Sequence, residues 1–461
     1  MLYKRPVVEL VLLTLFFAGC SAAPGSAPIA STPVQADAQA QRRPIVTPAP
    51  SPAVSPTPAA SAVPTPKGTS PGALDQTFGN GGIVTTSNLN VGDGPYTVAV
   101  QSNGNILTLT NTNSGDGGDV ALLRYKPNGA LDTTFGSGGE VLTSFGSIPL
   151  ASANDFAVDP SGRIIVVGTL ATNIPNPPAN PLLVARYTSS GALDSTFGSG
   201  GEVLLPGAAS SVLVQANGDI LVGGFEQVSS GIAHTVQLDT LLTRLTSNGS
   251  LDTTFGSEGT VLADLIGPVQ NLALDSSGDI FANDGGPSIE FTSTGAQVAS
   301  PSLSGSFAQT SIGSAFQPNG DVILLAQAGE SKNRNEIQVS RITLSGTADP
   351  AFSSPAFQIE GQGTGQTSSL ASAEAVETDG KIVVAGGVDL TNNLNTSSFG
   401  IARLGSTGAL DTTFGIGGSV ATPQRGNFGA VTVQSNGDIV AFGTSVTSTS
   451  QVMVLARYLG P

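Results

Sequence analysis

Residues 96–143 have the sequence YTVAVQSNGNILTLTNTNSGDGGDVALLRYKPNGALDTTFGSGGEVLT, which contains one complete repeating unit of the chain. Apolar residues alternate from Thr97 to Gln101 and again from Ile106 to Thr110, with a Ser-Asn-Gly turn between them. This pattern predicts an antiparallel hairpin. Residues 120–125 predict a third strand, and residues 139–143 predict a fourth after a Pro-Asn-Gly turn. Four short antiparallel strands are the content of one propeller blade.

The unit recurs along the chain at a spacing near 60 residues, which indicates a repeat architecture. The glycine of the first turn recurs as Gly104, Gly162, Gly218, Gly278, Gly320, Gly380 and Gly437. The glycine that begins the Gly-Ala-Leu-Asp-x-Thr-Phe-Gly motif recurs as Gly72, Gly129, Gly191, Gly249, Gly295, Gly346 and Gly408. The sequence therefore predicts an all-β fold, a seven-bladed β-propeller of four-stranded antiparallel blades.

The two ends of the repeat region predict how the ring closes. Residues 72–86 contain only the Leu-Asp turn and one strand, Ile83 to Thr86, whereas Ala430 to Tyr458 contains strands one to three. Pairing the N-terminal strand with the last blade gives seven complete blades without an exposed edge. The alternative, an open stack of repeats, requires capping repeats, and neither end has their character.

Three residue types recur in each unit, and we interpret them as structural. The aspartate accepts backbone hydrogen bonds in a tight turn, and the phenylalanine fills the space between sheets. The arginine that ends the third strand pairs with a repeat aspartate or stacks on a ring. In the alternative, the aspartates are ligands or catalysts. This would require them to converge on one site, which repetition in every blade does not supply. These residues are Asp75, Asp132, Asp194, Asp252, Asp411, Phe78, Phe135, Phe197, Phe255, Phe414, Arg124, Arg186, Arg244, Arg341, Arg403 and Arg457.

The fifth unit, counted from Gly72, departs from the pattern. Glu290 stands in place of the third-strand arginine, and Gly295-Ala296-Gln297 continues to Pro301 without the phenylalanine. This unit either packs differently from the others or has a specialised role.

The segments SNGDI, LLRY and GALDTTFGSGG at a period near 60 resemble the bacterial delta-60 repeat family. The resemblance covers residues 72–461. It implies an extracellular, propeller-like repeat domain with no settled biochemical activity, and it carries over no catalytic residue.

Residues 1–19 have the basic start and short apolar stretch of an export signal. They end before Cys20 in a pattern that resembles the lipobox of bacterial lipoproteins, in which the cysteine is lipidated. Cys20 is the only cysteine of the chain, so it has no intramolecular disulfide partner. Together with Ser21, the resemblance implies an outer-membrane or cell-surface lipoprotein; an ordinary cleaved signal is the alternative.

Residues 20–71 are rich in Pro, Ala, Ser and Thr and predict a disordered tether before the propeller of residues 72–461. The formal net charge of the chain is -16, and its 17 basic residues are scattered. Such a surface repels polyphosphate, so we expect no nucleic-acid partner.

The loops between strands two and three vary, and they share a face with the segments that link the blades. Variable loops on a rigid scaffold are typical of binding sites. We therefore expect recognition of an extracellular protein or polysaccharide on this face. The loops are residues 111–119, 171–181, 226–239, 329–336 and 389–398.

Candidate catalytic and metal-binding residues are few. His234 has no metal-binding partner nearby in sequence, and the calcium-like segment SGDGGD at residues 114–119 occurs once. We expect no cofactor and no metal, with calcium as the one alternative. Asp155, Asp239, Asp284 and Asp389 are acids in variable segments.

The sequence favours a lipid-anchored binding module over an enzyme, since no catalytic motif occurs. Two alternatives stay open. One is a carboxylate-based glycan lyase or hydrolase, which needs only paired acids at the channel mouth. The other is a passive structural protein of the cell envelope.

Overall fold

The computed structural model of the protein shows an all-β chain. It describes residues 69–87, 89, 97–112, 118–145, 150–171, 181–229, 236–263, 268–275, 277–283, 288–298, 311–317, 319–328, 335–343, 347–359, 368–389, 397–446 and 451–460. Every regular element in these ranges is a β-strand.

The strands form seven antiparallel sheets, the blades of a propeller. Blade one contains β2 (Thr97–Val100), β3 (Ile106–Asn111), β4 (Val120–Tyr125) and β5 (Glu140–Thr143). Blade two contains β6 (Leu150–Val158), β7 (Ile164–Leu170), β8 (Leu182–Tyr187) and β9 (Glu202–Leu205). Blade three contains β10 (Ala208–Val214), β11 (Ile220–Ser229), β12 (Val236–Leu245) and β13 (Thr260–Ala263).

The remaining blades repeat the same order. Blade four contains β14 (Asn271–Leu274), β15 (Ile280–Asn283) and β16 (Ser288–Phe291), and blade five contains β17 (Ser311–Phe316), β18 (Val322–Ala328) and β19 (Glu336–Ile342). Blade six contains β20 (Ser368–Val376), β21 (Ile382–Asp389), β22 (Ser398–Leu404) and β23 (Ser419–Arg425). Blade seven contains β24 (Asn427–Val433), β25 (Ile439–Val446), β26 (Gln451–Tyr458) and β1 (Ile83–Thr86).

The fourth segments of blades four and five differ from the others. In blade five, Phe357 exchanges two backbone hydrogen bonds with Ile337 at 2.8 and 3.0 Å, so this segment lies beside β19 as a short bridge. In blade four, Val298 is the last described residue of this segment, and its backbone N–H donates a hydrogen bond to the carbonyl oxygen of Glu290. The departing fifth unit of the sequence lies in blade four, because the first unit belongs to blade seven.

The blades are arranged in a closed ring. The first strand of every blade contacts the first strands of both neighbouring blades, and the cycle returns from β24 to β2. These seven strands line the central channel, so the fourth strands lie at the perimeter.

The N-terminal strand closes the ring. β1 pairs antiparallel with β26, with Ile83 opposite Ala456 and Thr86 opposite Met453. The sheet of blade seven thus takes its outermost strand from the start of the repeat region. The predicted closure is confirmed, and the open stack of repeats is excluded.

Apolar clusters fill the spaces between adjacent blades. The largest lies between blades one and two, around Phe135 and Leu150. The next lies between blades five and six, around Leu325 of β18 and Ile382 of β21. Similar clusters fill the junctions of blades two and three, three and four, six and seven, and seven and one.

The junction between blades four and five is the exception. Among the described residues, no apolar cluster spans it, and the small cluster of Val322, Leu324 and Ile342 belongs to blade five alone. The contacts across this junction include two hydrogen bonds from Asn271 Nδ2 to Ser314 and a ring pair with centroids 6.3 Å apart. The described part of the ring is therefore packed most weakly here.

Candidate binding site in the central channel

The first strands of five blades carry a β-bulge at the same place. In each case one residue is skipped by the pairing with the second strand, and a bulge of this kind re-aims the skipped residue. The five residues skipped at this place line a single cavity in the channel, and β6 also skips Ala151 nearer its start. They are Asn154, Ser210, Ile312, Ser372 and Gly429.

Glycines on the second strands make room for four of these bulges. A Cβ on Gly224 would lie 1.8 Å from the carbonyl oxygen of Ala208, and a Cβ on Gly386 would lie 1.9 Å from that of Leu370. Gly168 and Gly443 face the same restriction. A glycine within an otherwise apolar second strand is thus a sequence signal for a bulge, which the alternation of apolar residues does not reveal.

The channel cavity has a volume of about 350 Å³ and is lined by residues from all seven first strands or the residues directly before them. Two carboxyl groups line it, those of Asp155 and Glu374, and Ile312 is 40% exposed there. None of the described lining residues is basic or aromatic. The hydroxyl and amide side chains in the lining belong to Thr97, Asn154, Ser210, Gln270, Asn271, Ser314 and Ser372.

Asp155 joins blades two and three. Its Oδ1 accepts a hydrogen bond from its neighbour Phe156 N at 2.8 Å, and its Oδ2 accepts one from Val212 N at 2.9 Å. Burial raises the pKa of Asp155 to about 6, although these N–H groups and the Ser211 hydroxyl favour the charged form. Because both oxygens are engaged, this carboxyl group stabilises the wall of the channel.

Glu374 is held differently. Its Oε2 is shielded from solvent and has no hydrogen-bond partner among the described residues. The carboxyl group lies against Gly313 of blade five, where a Cβ would come within 2.2 Å of Oε2. Burial raises the pKa of Glu374 to about 8. Such an uncompensated carboxyl group is a candidate functional group.

Amide side chains fix the spacing of the blades around the cavity. Asn154 Nδ2 donates to the carbonyl oxygen of Ala209 at 2.6 Å, and Asn427 Nδ2 donates to Ser372 Oγ at 3.1 Å. Each of these bonds joins neighbouring blades, so the cavity has walls that are hydrogen-bonded to one another.

Two larger depressions lie at the other end of the channel. They have volumes of about 560 and 530 Å³ and lie among the turns between first and second strands, at blades one to three and at blades seven and one. Their lining consists mainly of the repeated turn residues. The smaller cavity is the better candidate, because it contains residues that differ from blade to blade.

The repeat arginines, aspartates and phenylalanines do not line the channel cavity. Each arginine donates from Nε to the aspartate of its own blade. It also lies over the phenylalanine of that blade, at 4.5–4.9 Å from the ring centroid to Cζ. The pairs are Arg124–Asp132, Arg186–Asp194, Arg244–Asp252, Arg341–Asp349, Arg403–Asp411 and Arg457–Asp75.

These pairs also join the blades. Arg124 Nη1 donates to the carbonyl oxygen of Ser189 in blade two at 2.5 Å, and Arg457 Nη1 donates to that of Pro127 in blade one at 2.6 Å. The Thr134 hydroxyl and the Arg124 guanidinium hold the pKa of the Asp132 carboxyl below its usual value, although burial acts in the opposite sense.

The other candidate acids do not gather in the cavity. Asp239 lies on β12 opposite Glu226, and Asp389 ends β21, where it is buried. Neither lines the channel cavity, so Asp155 is the only one there of the three predicted acids that the structure describes.

Several predicted features lie outside the described residues. These are the segment before residue 69, with Cys20, and also His234, Asp284, residues 114–117 and most of the variable loops. The described residues contain no group of three or more His, Cys, Asp or Glu side chains that could hold a metal ion. No helix with the length and hydropathy to cross a membrane occurs in the described part of the chain.

Four segments match the family model described as a β-propeller domain of unknown function, DUF5122. The matched residues are 101–135, 160–197, 215–255 and 377–414. They lie in blades one, two, three and six, and each contains the complete arginine, aspartate and phenylalanine set. The fold is thus that of a β-propeller repeat protein. None of the curated proteins matches the sequence.

Two solved structures illustrate what this fold is similar to. A catalytically inactive virginiamycin B lyase from Staphylococcus aureus with quinupristin is 14% identical, with 81% of this chain and 98% of that chain covered and a TM-score of 0.44. YCF48 bound to D1 peptide is 12% identical, with 85% and 100% covered and a TM-score of 0.43. These similarities are too low to transfer an activity to this chain.

Proposed function

We propose that this protein is an exported, lipid-anchored binding module of the cell envelope. Its ligand is an extracellular protein or polysaccharide that it recognises on the face of the variable loops. The observation that carries the proposal is the channel cavity, in which five bulges turn residues of different character toward one space.

The position of the cavity supports recognition on the loop face. The bulged residues Ser210, Ile312 and Gly429 each lie within the first three residues of their strands, next to the segments that link the blades. The second strands end on this same face, as the pairing of Ala208 with Phe225 shows, so a ligand bound by the loops that follow them would lie over the cavity. The cavity then accepts a projecting group of the ligand.

The chemistry of the lining supports a polar ligand. Hydroxyl and amide groups both donate and accept hydrogen bonds, so they match hydroxyl, amide or ammonium groups. The two carboxyl groups and the net charge of -16 disfavour an anionic ligand.

The test is binding of the purified protein to a panel of envelope proteins and extracellular polysaccharides. One variant replaces the variable loops with short uniform ones, and a second, Ser210→Leu, obstructs the cavity. Leu142→Ser on the outermost strand β5 is the matched control. We expect the first two variants to lose binding and the control to keep it. Binding that survives both changes would contradict recognition at this face.

The lipid anchor has its own test. We expect cells that express the protein to incorporate labelled fatty acid into it, and we expect Cys20→Ala to abolish both the label and membrane fractionation. A label that persists in Cys20→Ala would contradict lipidation at this cysteine.

A second function, that of a carboxylate-based glycan lyase or hydrolase, is favoured by one observation. Asp155 and Glu374 line the same cavity, and burial raises the pKa of both. Glycosidases use one carboxyl group with a raised pKa as general acid and a second, ionised one as base or nucleophile, so Glu374 would be the acid and Asp155 the carboxylate. Turnover of a polysaccharide that disappears in both Asp155→Asn and Glu374→Gln would favour the enzyme over the binding module.

A further inference from the structure

We propose that the channel cavity binds a lysine side chain of a partner protein, with Glu374 pairing with its ammonium group and Ile312 contacting its aliphatic stem. The inference rests on the proposed binding function and deepens it, because it names the group that enters the cavity.

The carboxyl group of Glu374 is unpaired among the described residues. Glu374 Oε2 is shielded from solvent and has no hydrogen-bond partner among the described residues. A buried acceptor without a partner is destabilising, and more so when it is charged. No basic side chain is among the described lining residues, so these residues supply no cation to compensate this group.

An apolar surface lies beside this carboxyl group. The bulge in β17 turns Ile312 into the cavity, where it is 40% exposed, directly before Gly313, which touches the Glu374 carboxyl group. Lysine has an apolar stem of four carbons and a compact charged end. The apolar stem of a lysine can therefore contact Ile312 while its charged end reaches the carboxyl group of Glu374.

Other ligand chemistries fit less well. An anion would lie beside two carboxyl groups, and the described lining residues include no cation. A divalent metal ion prefers six or more oxygen ligands, and the described residues hold no cluster of three acidic, His or Cys side chains. Carbohydrate rings have no aromatic side chain to stack on among the described lining residues.

Binding of the ammonium group requires ionised Glu374, so affinity should rise with pH. Of the strands that contact β20, β17, β18 and β24 carry no titratable side chain. The other strands packed against β20 carry Glu336 and Arg341 on β19 and Asp389 on β21. Glu377 directly follows β20, and Asp155 shares the cavity lining with Glu374. Because burial raises the pKa of Glu374 to about 8, lysine affinity should increase between pH 6 and pH 8.

The experiment titrates the full chain with acetyl-Gly-Lys-Gly-amide and with the same peptide carrying norleucine in place of lysine. Glucosamine and N-acetylglucosamine form a second matched pair, which distinguishes an amino sugar from a lysine. We expect the lysine peptide to bind at least about tenfold more tightly than the norleucine peptide, and Glu374→Gln to remove this difference. Ile312→Ser should weaken binding of the lysine peptide.

The control variant is Glu202→Gln, which changes a partly buried carboxyl group on the outermost strand β9 and should leave binding unchanged. Circular dichroism and the melting temperature confirm that each variant is folded. Equal binding of the two peptides, no binding of either at millimolar concentration, or preference for glucosamine would overturn the proposal. If an envelope ligand from the panel binds regardless of Glu374→Gln, this inference fails while the proposed function stands.

Discussion

Each repeat arginine pairs with an aspartate and lies over a ring, and several of them also bond to the next blade. Arg186 donates to Asp194 Oδ2 at 2.9 Å, lies 4.5 Å above the Phe197 ring and donates to the carbonyl oxygen of Ser247. A planar guanidinium can form both hydrogen bonds and stack on the ring at the same time, because its N–H donors lie on three nitrogen atoms. The single ammonium group of lysine cannot. The same residue therefore orders its own blade and attaches the following one.

We expect Arg186→Ala to lower the free energy of unfolding by about 3–5 kcal/mol, because it leaves Asp194 buried without its partner. Arg186→Lys should recover only part of this loss, since lysine cannot form the fork. Chemical denaturation measures both values. Arg425→Ala, at an exposed site that ends β23, is the control and should change stability by less than about 0.5 kcal/mol.

Glu374 gives the protein a specific pH dependence. Its pKa is raised from 4.5 to about 8 by burial, so the unfolded chain loses this proton at lower pH than the folded protein. The contribution of protonated Glu374 to the stability of the folded state is complete below the pKa of the unfolded chain. It is lost as the pH rises through the pKa of the folded protein. Glu374→Gln should therefore gain stability relative to the natural protein between pH 5 and pH 8, by up to about 1.4 kcal/mol per pH unit. Parallel stability curves for the two proteins would contradict this.

At the scale of elements, the bulge and its facing glycine act together. The bulge in β20 at Ser372 brings the Leu370 carbonyl oxygen close to Gly386 on β21. A side chain there would force the two strands apart and displace Ser372 from the channel wall. The shape of the cavity thus depends on residues that do not line it.

We expect Gly386→Ala to destabilise the protein by on the order of 3 kcal/mol, because its Cβ would lie 1.9 Å from the Leu370 oxygen. Gly405→Ala is the matched control in the same blade, since its nearest atom would be 3.7 Å away and its φ is not in the left-handed region. The difference in thermal unfolding between the two variants is the measurement. Equal effects would show that the bulge tolerates a side chain.

The closing strand is the other element with a clear role. Deletion of residues 69–86 removes β1 and leaves Arg457 without Asp75, whose bond to Arg457 Nε is 2.8 Å long. We expect a loss of more than about 3–5 kcal/mol, with association through the freed edge of β26. An equally long deletion before the described residues, at residues 24–41, should leave the free energy of unfolding unchanged. A synthetic peptide of residues 69–86 should restore stability, and its failure to bind would argue against closure by this strand.

At the scale of the whole molecule, the ring is unevenly stabilised. The junction of blades four and five lacks a spanning apolar cluster among the described residues, and Glu290 stands where the other blades have the joining arginine. A ring of blades opens most readily at the junction where the packing between blades is weakest. This junction also lies beside the Ile312 side of the channel cavity.

Hydrogen exchange should show this difference directly. We expect the amides of β14 to β19 to exchange faster than those of β3, β4, β7 and β8, whose side chains are almost completely buried. Binding of a ligand in the cavity should slow exchange in β17. Uniform protection around the ring would contradict a weak junction.

The sequence by itself determined the number of blades, the strand order and the closure of the ring. It did so because turns, alternation and the Leu-Asp motif act over a few residues and recur at a fixed spacing, as Gly104 and Gly129 do in one unit. The start of the repeat region has one surplus strand and the last blade lacks one, so pairing the two completes that blade.

Only the tertiary structure decided which residues face the channel. Glu374 lies on β20 two residues after the bulge at Ser372, whereas Asp389 ends the next strand outside the channel cavity. Its environment comes from Gly313, which belongs to a different blade. A cavity formed by seven strands from distant parts of the chain depends on their packing, which local sequence patterns do not encode.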